Sequence, residues 1–258
     1  MSEPVLSMTD GRVGIIELSR PEKFNCLSLQ AWELIDDARR QFEADTQIRA
    51  ILIRAQGKHF CTGADLEEVK GLRSSAQSTG AFIERGHQAL LAFEASPLPI
   101  VAAVQGLCLA GGIELMLGTD VVLAAQTARI GDQHAQFGLV PGWGGSQRLA
   151  RLIGLRRALD VMYSARWIEA DEARSIGLIN YVSADDALWD EAMAYASKLS
   201  QRSRVGLAEM KRLAREGLSL APQQAMRLEA DAAARHILGP DTAEGLTAFE
   251  ERRDPIFE

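Results

Sequence analysis

Gln105-Gly-Leu-Cys-Leu-Ala-Gly-Gly-Ile-Glu-Leu115 is the stretch on which the reading of this chain turns. It follows an apolar run of strand type, Pro99 to Val104 (PIVAAV), and passes through glycines into an apolar helix expected over Ile113 to Gly118. Strand, glycine turn and helix in that order belong to an α/β protein. The first N–H groups of such a helix have no partner within it, so they can bind negative charge as it develops. Glu114 stands in the opening turn among Ile113, Leu115, Met116 and Leu117, where a carboxylate needs a reason. One reason is acid/base chemistry, with the apolar setting raising its pKa; the other is a carboxylate that merely complements the helix dipole.

Working outward, Val13 to Leu18 and Arg49 to Ala55 (RAILIRA) are further apolar runs expected to be strands buried on both faces. Ser28 precedes Leu29, Trp32, Ile35, Ala38 and Phe42 near helical spacing, which predicts a capped amphipathic helix. On the other side, Asp120 to Ala125 and Leu178 to Val182 read as strands, with helices after Gly145, Gly154 and Glu169. Strand signals stop after about Asp185, and the remainder reads as helices broken near Pro222 and Gly239-Pro240. Lys211, Arg212 and Arg215 are expected on a solvated helix face there.

Composition narrows the class. The chain has 258 residues, 47% hydrophobic and 24% charged, which is ordinary for a globular protein with a sizeable core. A net charge of −7 offers no general basic face for nucleic acid. The opening MSEPVLSMTD lacks the basic and apolar regions of a secretory signal, and the Pro99 to Ala125 stretch is interrupted by Gln105, Glu114 and Asp120, against a membrane span. Cys26, Cys61 and Cys108 show neither CxxC nor metal-ligand spacing, so the expectation is no metal, no disulfide framework and a cytoplasmic setting.

Two more segments carry chemistry. His59-Phe-Cys-Thr-Gly-Ala-Asp-Leu66 is a glycine-containing loop directly after RAILIRA, and with the Gly111 turn it could form an oxyanion hole. Ile130 to Leu149 (IGDQHAQFGLVPGWGGSQRL) brings glycine-rich backbone to a new helix but lacks the Lys-Ser/Thr ending of a nucleotide P-loop. Each glycine loop alone could be only a tight turn that needs positive φ.

In this order and spacing the three segments resemble the enoyl-CoA hydratase/isomerase (crotonase) superfamily. The likeness extends from Arg20-Pro-Glu-Lys-Phe-Asn25 to Glu244-Gly-Leu-Thr-Ala-Phe-Glu-Glu-Arg-Arg253. It implies a spiral of ββα units over residues 1–200 with an acyl-CoA site, and a C-terminal helical region over residues 201–258 used in homotrimers or dimers of trimers. It also implies that the Ala64 and Gly111 amides hold the thioester oxygen, that Glu114 handles the catalytic water, and that Gly142 helps hold water or acyl group. Coenzyme A would lie near Lys23, Phe24, Asp65 and Leu66, as part of the substrate, with no separate cofactor. Lys23 as a solvated surface lysine stays open beside this. Gly142 also stands where the family's dehalogenases carry a nucleophilic aspartate.

At His134 the chain departs from the hydratase pattern, which has a second glutamate there. An imidazole can exchange a proton near pH 7 but differs from a carboxylic acid in geometry and pKa, and a structural histidine lining the pocket is the other reading. Trp143 either narrows the acyl pocket or belongs to the core. The expected activity is hydration or isomerisation of a 2-enoyl-CoA; a thioester or carbon–carbon hydrolase and a non-catalytic acyl-CoA binding protein are the rivals.

Overall fold

The computed structural model describes residues 3–257. The strands are β1 (Val5–Asp10), β2 (Val13–Leu18), β3 (Ala50–Ala55), β4 (Ile100–Val104), β5 (Leu107–Leu109), β6 (Val121–Ala125), β7 (Arg129–Gly131), β8 (Ile168–Glu169) and β9 (Tyr181–Ser183). The helices are α1 (Leu29–Ala44), α2 (Leu66–Leu72), α3 (Ala76–Ala95), α4 (Gly111–Leu117), α5 (Gly145–Ile153), α6 (Leu155–Ser164), α7 (Ala170–Ser175), α8 (Leu188–Ser200), α9 (Arg204–Gly217), α10 (Pro222–His236) and α11 (Pro240–Glu251). Both predicted breakers work as expected: Pro222 and Pro240 occupy first helical positions, where a missing N–H costs nothing.

A six-stranded sheet has the order β1-β2-β3-β4-β6-β9, antiparallel between β1 and β2 and parallel thereafter. A three-stranded sheet has the order β5-β7-β8. The chain alternates between the two layers. After β3 it makes a single parallel bridge from Cys61 to Cys108 in β5, just as Leu27, after β2, bridges to Ala64. Each turn thus contributes a long strand, a short second-layer pairing and a helix: β2, Leu27 and α1; β3, Cys61 and α2; β4, β5 and α4; β6, β7 and, past a 3-10 turn, α5. This is the expected ββα spiral.

The sheet centre is apolar because its strands are covered on both sides, and β2 and β4 are buried throughout. Ser28 caps α1 by accepting from the Ala31 N–H, and Trp32, Ile35, Ala38 and Phe42 are buried against the core, as the spacing predicts.

Three expectations need correction. Val5–Asp10 is a strand hydrogen-bonded to β2 along its length, where sequence reading expects no strand before Val13; the cross-strand pairing carries it through Thr9 and Asp10. The last strand lies at Tyr181–Ser183, later than Leu178 to Val182, because Leu178 and Ile179 are buried in the turn leaving α7. Lys211 is not on a solvated face: its side chain is only 10% exposed, and Nζ donates to Asp120 Oδ2 at 2.7 Å and to the carbonyls of Phe93 and Leu98. Arg215 joins it on Asp120 at 2.9 Å, while Arg212 pairs along its own helix with Glu209 and Glu216. Burial pushes the Lys211 pKa down despite the Asp120 charge.

Candidate active site

Two loops are held edge to edge at the ends of β3 and β5. Cys61 N–H donates to Leu107 O and Leu109 N–H donates back to Cys61 O at 2.9 Å. The approach demands glycine: a Cβ on Gly112 would stand 2.2 Å from Cys61 O, and one on Gly111 2.4 Å from the Trp143 ring. Just before them lies Ala110, at φ 50° and ψ −118°, a conformation that costs a non-glycine residue about 1–3 kcal/mol. The Ala64 and Gly111 N–H groups make no hydrogen bond among the described residues. Both residues line one cavity of about 180 Å³ together with Glu114, His134, Gly142 and Trp143.

Glu114 is 1% exposed. Its Oε1 accepts from the Trp143 N–H at 2.7 Å and the Gly145 N–H at 2.8 Å, where the Gly144-Gly145 turn opens α5. Its Oε2 faces His134 Nε2 across 3.8 Å, too long for a direct hydrogen bond. Burial raises the Glu114 pKa, with the two amides and the His134 charge pulling the other way.

His134 opens a 3-10 turn after β7, and its Nδ1 lies 2.9 Å from Asp132 Oδ1. Asp132 is 1% exposed and also accepts from the His134 N–H at 3.1 Å. A carboxylate can only accept, so Nδ1 carries the proton and Nε2 is left toward Glu114. Burial disfavours the charged ring, but the Asp132 hydrogen bond and charge, then the Glu114 charge, outweigh it and raise the His134 pKa. Asp132 escapes a sequence reading focused on the position of the second family glutamate, yet the Asp-x-His spacing before a tight turn is a visible signal for it.

Trp143 satisfies both readings offered for it, being 2% exposed in the core and also part of the cavity wall. It packs edge-on to Trp32 and Phe82. The rest of the wall comes from α2, α3 and the segment before α5, through Val69, Leu72, Phe82, Ile83, Leu139 and Val140. Sequence reading leaves α2 and α3 undescribed, because neither carries a motif.

The four residues expected at coenzyme A lie outside this cavity, around the loop that holds Ala64. Lys23 Nζ pairs with Glu67 Oε2 at 2.6 Å, which raises its pKa. Phe24, in the left-handed region at φ 53°, stacks on His59 at 5.3 Å. Asp65 is buried: its carboxylate caps α2 through the Glu67 and Glu68 N–H groups and pairs with Arg20 at 3.1 Å. The Leu66 side chain is exposed.

A spiral of ββα turns with unpartnered loop amides and a buried carboxylate at one cavity defines an acyl-transfer or enolate-forming class of enzyme site. Residues 9–258 match the enoyl-CoA hydratase/isomerase family, and the chain belongs to it. A probable enoyl-CoA hydratase of Mycobacterium leprae is 36% identical over 252 residues, 97% of this chain and 96% of that one. A crotonyl-CoA hydratase of Syntrophomonas wolfei is 33% identical over 256 residues, 99% and 98% of the two chains. The crystal structure of an enoyl-CoA hydratase from Polaromonas sp. JS666 superposes with a TM-score of 0.95 at 29% identity, covering 98% of this chain and 99% of that one. The fold is accordingly the crotonase fold.

Proposed function

We propose that this protein hydrates a 2-enoyl-CoA thioester, with Glu114 and an Asp132-paired His134 as its acid/base couple. The observation that carries the reading is the Glu114 carboxylate, held on one oxygen by two amides and facing His134 Nε2 with the other. In the reaction Glu114 takes a proton from water, hydroxide adds to the β-carbon, and charge moves onto the thioester oxygen. The Ala64 and Gly111 amides receive that charge, and losing one such donor typically costs roughly 10²–10³ in rate. In its protonated form, which the Asp132 contact favours, His134 gives the Nε2 proton to the α-carbon. A water bridging the 3.8 Å between Glu114 and His134 returns the proton and resets the pair.

Shifting a double bond uses the same enolate and the same residues. Thioester hydrolysis would use His134 as a base on water, a role its Asp132 pairing also allows, so the products formed decide between the two reactions. The Gly142 N–H makes no hydrogen bond among the described residues, which supports a role in holding water or the acyl group. Coenzyme A belongs to the substrate, along Lys23, Phe24 and Leu66, with Asp65 shaping the loop through its cap and ion pair. No separate cofactor takes part.

The deciding experiment incubates the protein with a panel of enoyl- and acyl-CoA thioesters and weighs the products. A gain of one water on the enoyl thioester is expected. Release of free coenzyme A would install the hydrolase reading, and tight binding without turnover the carrier reading.

A further inference from the structure

We propose that Arg148 is a positioning residue for the base: it holds the Trp143–Gly145 turn that clamps Glu114, and Glu94 anchors it in turn. The inference rests on the reading of Glu114 as the base, and it adds a residue outside the cavity on which that base depends.

The clamp on Glu114 is made of backbone, so something has to hold that backbone still. Trp143 and Gly145 send their N–H groups to one carboxylate oxygen at 2.7 and 2.8 Å, and Gly144 between them sits at φ 92°. The hydrogen bonds of α5 begin only at Gly144, whose carbonyl accepts from Gln147 and Arg148; no backbone N–H among the described residues reaches the Trp143 carbonyl. Arg148 supplies that missing donor. Its side chain folds back along α5, and Nη1 donates to Trp143 O at 2.6 Å while Nε donates to Glu94 Oε1 at 2.7 Å.

Burial separates this arginine from a solvated surface one, since its side chain is only 12% exposed and both arms of its planar fork are engaged. A cation near a helix N-terminus opposes the helix dipole, so α5 itself gives no reason for it. Glu94 comes from α3, 54 positions earlier, and Arg215 of α9 reaches the same Oε1 at 3.3 Å. A Cβ on Gly144 would stand 2.1 Å from Arg148 Nη1, and one on Gly145 3.0 Å from Glu114 Cγ. The turn thus has the guanidinium against one glycine and the carboxylate against the next.

This arrangement has a consequence for proton affinity. The two amides and the His134 charge pull the Glu114 pKa down against burial, and the Asp132 charge pushes it up. Behind Glu94, the facing charges are Arg148, Arg215 and, through Arg215, Asp120. A slackened turn lengthens the amide bonds, so the Glu114 pKa rises and the base is protonated to higher pH.

The test is the pH dependence of kcat for crotonyl-CoA hydration in the parent, Arg148→Met, Arg148→Lys and Glu94→Gln. Arg148→Met should lower kcat by about 10- to 100-fold with a smaller change in KM, and should move the acid limb up by about half to one pH unit. Arg148→Lys can reach one of the two partners and should recover part of both losses. Glu94→Gln separates position from charge: removing a carboxylate charge would by itself lower the Glu114 pKa, whereas freeing Arg148 raises it. An acid limb that moves up in Glu94→Gln upholds the proposal, and one that stays or moves down overturns it. An unmoved limb in folded Arg148→Met also overturns it and leaves Arg148 a structural residue; should Arg148→Met not fold, Glu94→Gln decides. If the parent hydrates no enoyl thioester, the hydratase reading falls, and carbon-13 NMR titration of the Glu114 carboxyl, assigned with Glu114→Gln, reads the same shift without turnover. An upward shift in both variants there upholds the Arg148 role, and no shift refutes it.

Discussion

At the scale of single residues, the site separates into a carboxylate that nothing else can replace and a histidine that can be traded. Glu114→Gln keeps size and hydrogen bonding to the Trp143 and Gly145 amides while removing the base, and turnover of crotonyl-CoA should fall by about 10²–10⁴. His134→Ala should cost a similar factor if its proton reaches the α-carbon, whereas a loss of only a few fold would leave Glu114 alone in charge. His134→Glu would create the pair of carboxylates that the resemblance implies for hydratases and is expected to increase hydration above the parent; a folded, CoA-binding variant that hydrates nothing would show that the pocket has diverged beyond this position. Asp132 is a positioning residue, tested by the pH profile. Because its pairing raises the His134 pKa above the ordinary 6.5, the protonated acid persists to higher pH than in a free histidine and activity is lost as pH rises through the raised value. Asp132→Asn removes that support, so the alkaline limb should move to lower pH; the acid limb, set by ionisation of Glu114 above its ordinary 4.5, should move the same way by less, because the Asp132 charge is the smallest of the influences on Glu114. An unmoved alkaline limb would assign Asp132 a structural role only. Stability follows the same sign: the His134–Asp132 contribution is complete below the unfolded pKa of histidine and is lost as pH rises through the folded one.

At the scale of elements, the tie between α9 and the sheet is the instructive case. Lys211 reaches the Phe93 and Leu98 carbonyls and, with Arg215, neutralises Asp120, whose Oδ2 also accepts from the Ile100 N–H at the start of β4. Lys211→Met would take the Lys211 donor from the Leu98 carbonyl, leave the Phe93 carbonyl with only the Ser96 N–H, and leave Asp120 with Arg215 and the Ile100 N–H. The expected loss is about 1–3 kcal/mol, read as a lower midpoint in urea unfolding with an unchanged slope. A change within experimental error would return Lys211 to the solvated face that its sequence context suggests. The charges of both signs in Glu209-Met-Lys-Arg-Leu-Ala-Arg-Glu216 are those of an exposed helix, and nothing local reveals that a carboxylate 91 positions before Lys211 waits beneath it.

At the scale of the whole molecule, the C-terminal helices leave Leu218, Met226, Leu238 and Phe249 more than two-thirds exposed. Apolar surface of this kind on α9 to α11 argues for subunit contacts, so sedimentation should report a trimer or a dimer of trimers. A stable monomer at micromolar concentration would remove that proposal. Coenzyme A should raise the melting temperature and NAD should not, because no dinucleotide fingerprint is present; equal shifts would tell against the CoA assignment. How much of this was legible in advance follows from the range of the interactions. The buried strands, the Ser28 cap, the proline-started helices and the oxyanion loops were readable, because each depends on neighbours within a turn or two: hydrophobic period, a capping hydroxyl, a glycine where no Cβ fits. Glu114 stood out because a carboxylate amid apolar helix residues is locally anomalous. By contrast, the β1 pairing, the burial of Lys211 and the cavity wall from α2 and α3 depend on partners far along the chain. The sequence by itself determined the order of strands, glycine turns and helices that winds into the ββα spiral, and it singled out Ala64 and Gly111 as candidates for oxyanion amides. Only the tertiary structure decided that His134 faces Glu114 across 3.8 Å and that α2 and α3 wall their cavity, because those geometries exist only once separate turns of the spiral are stacked.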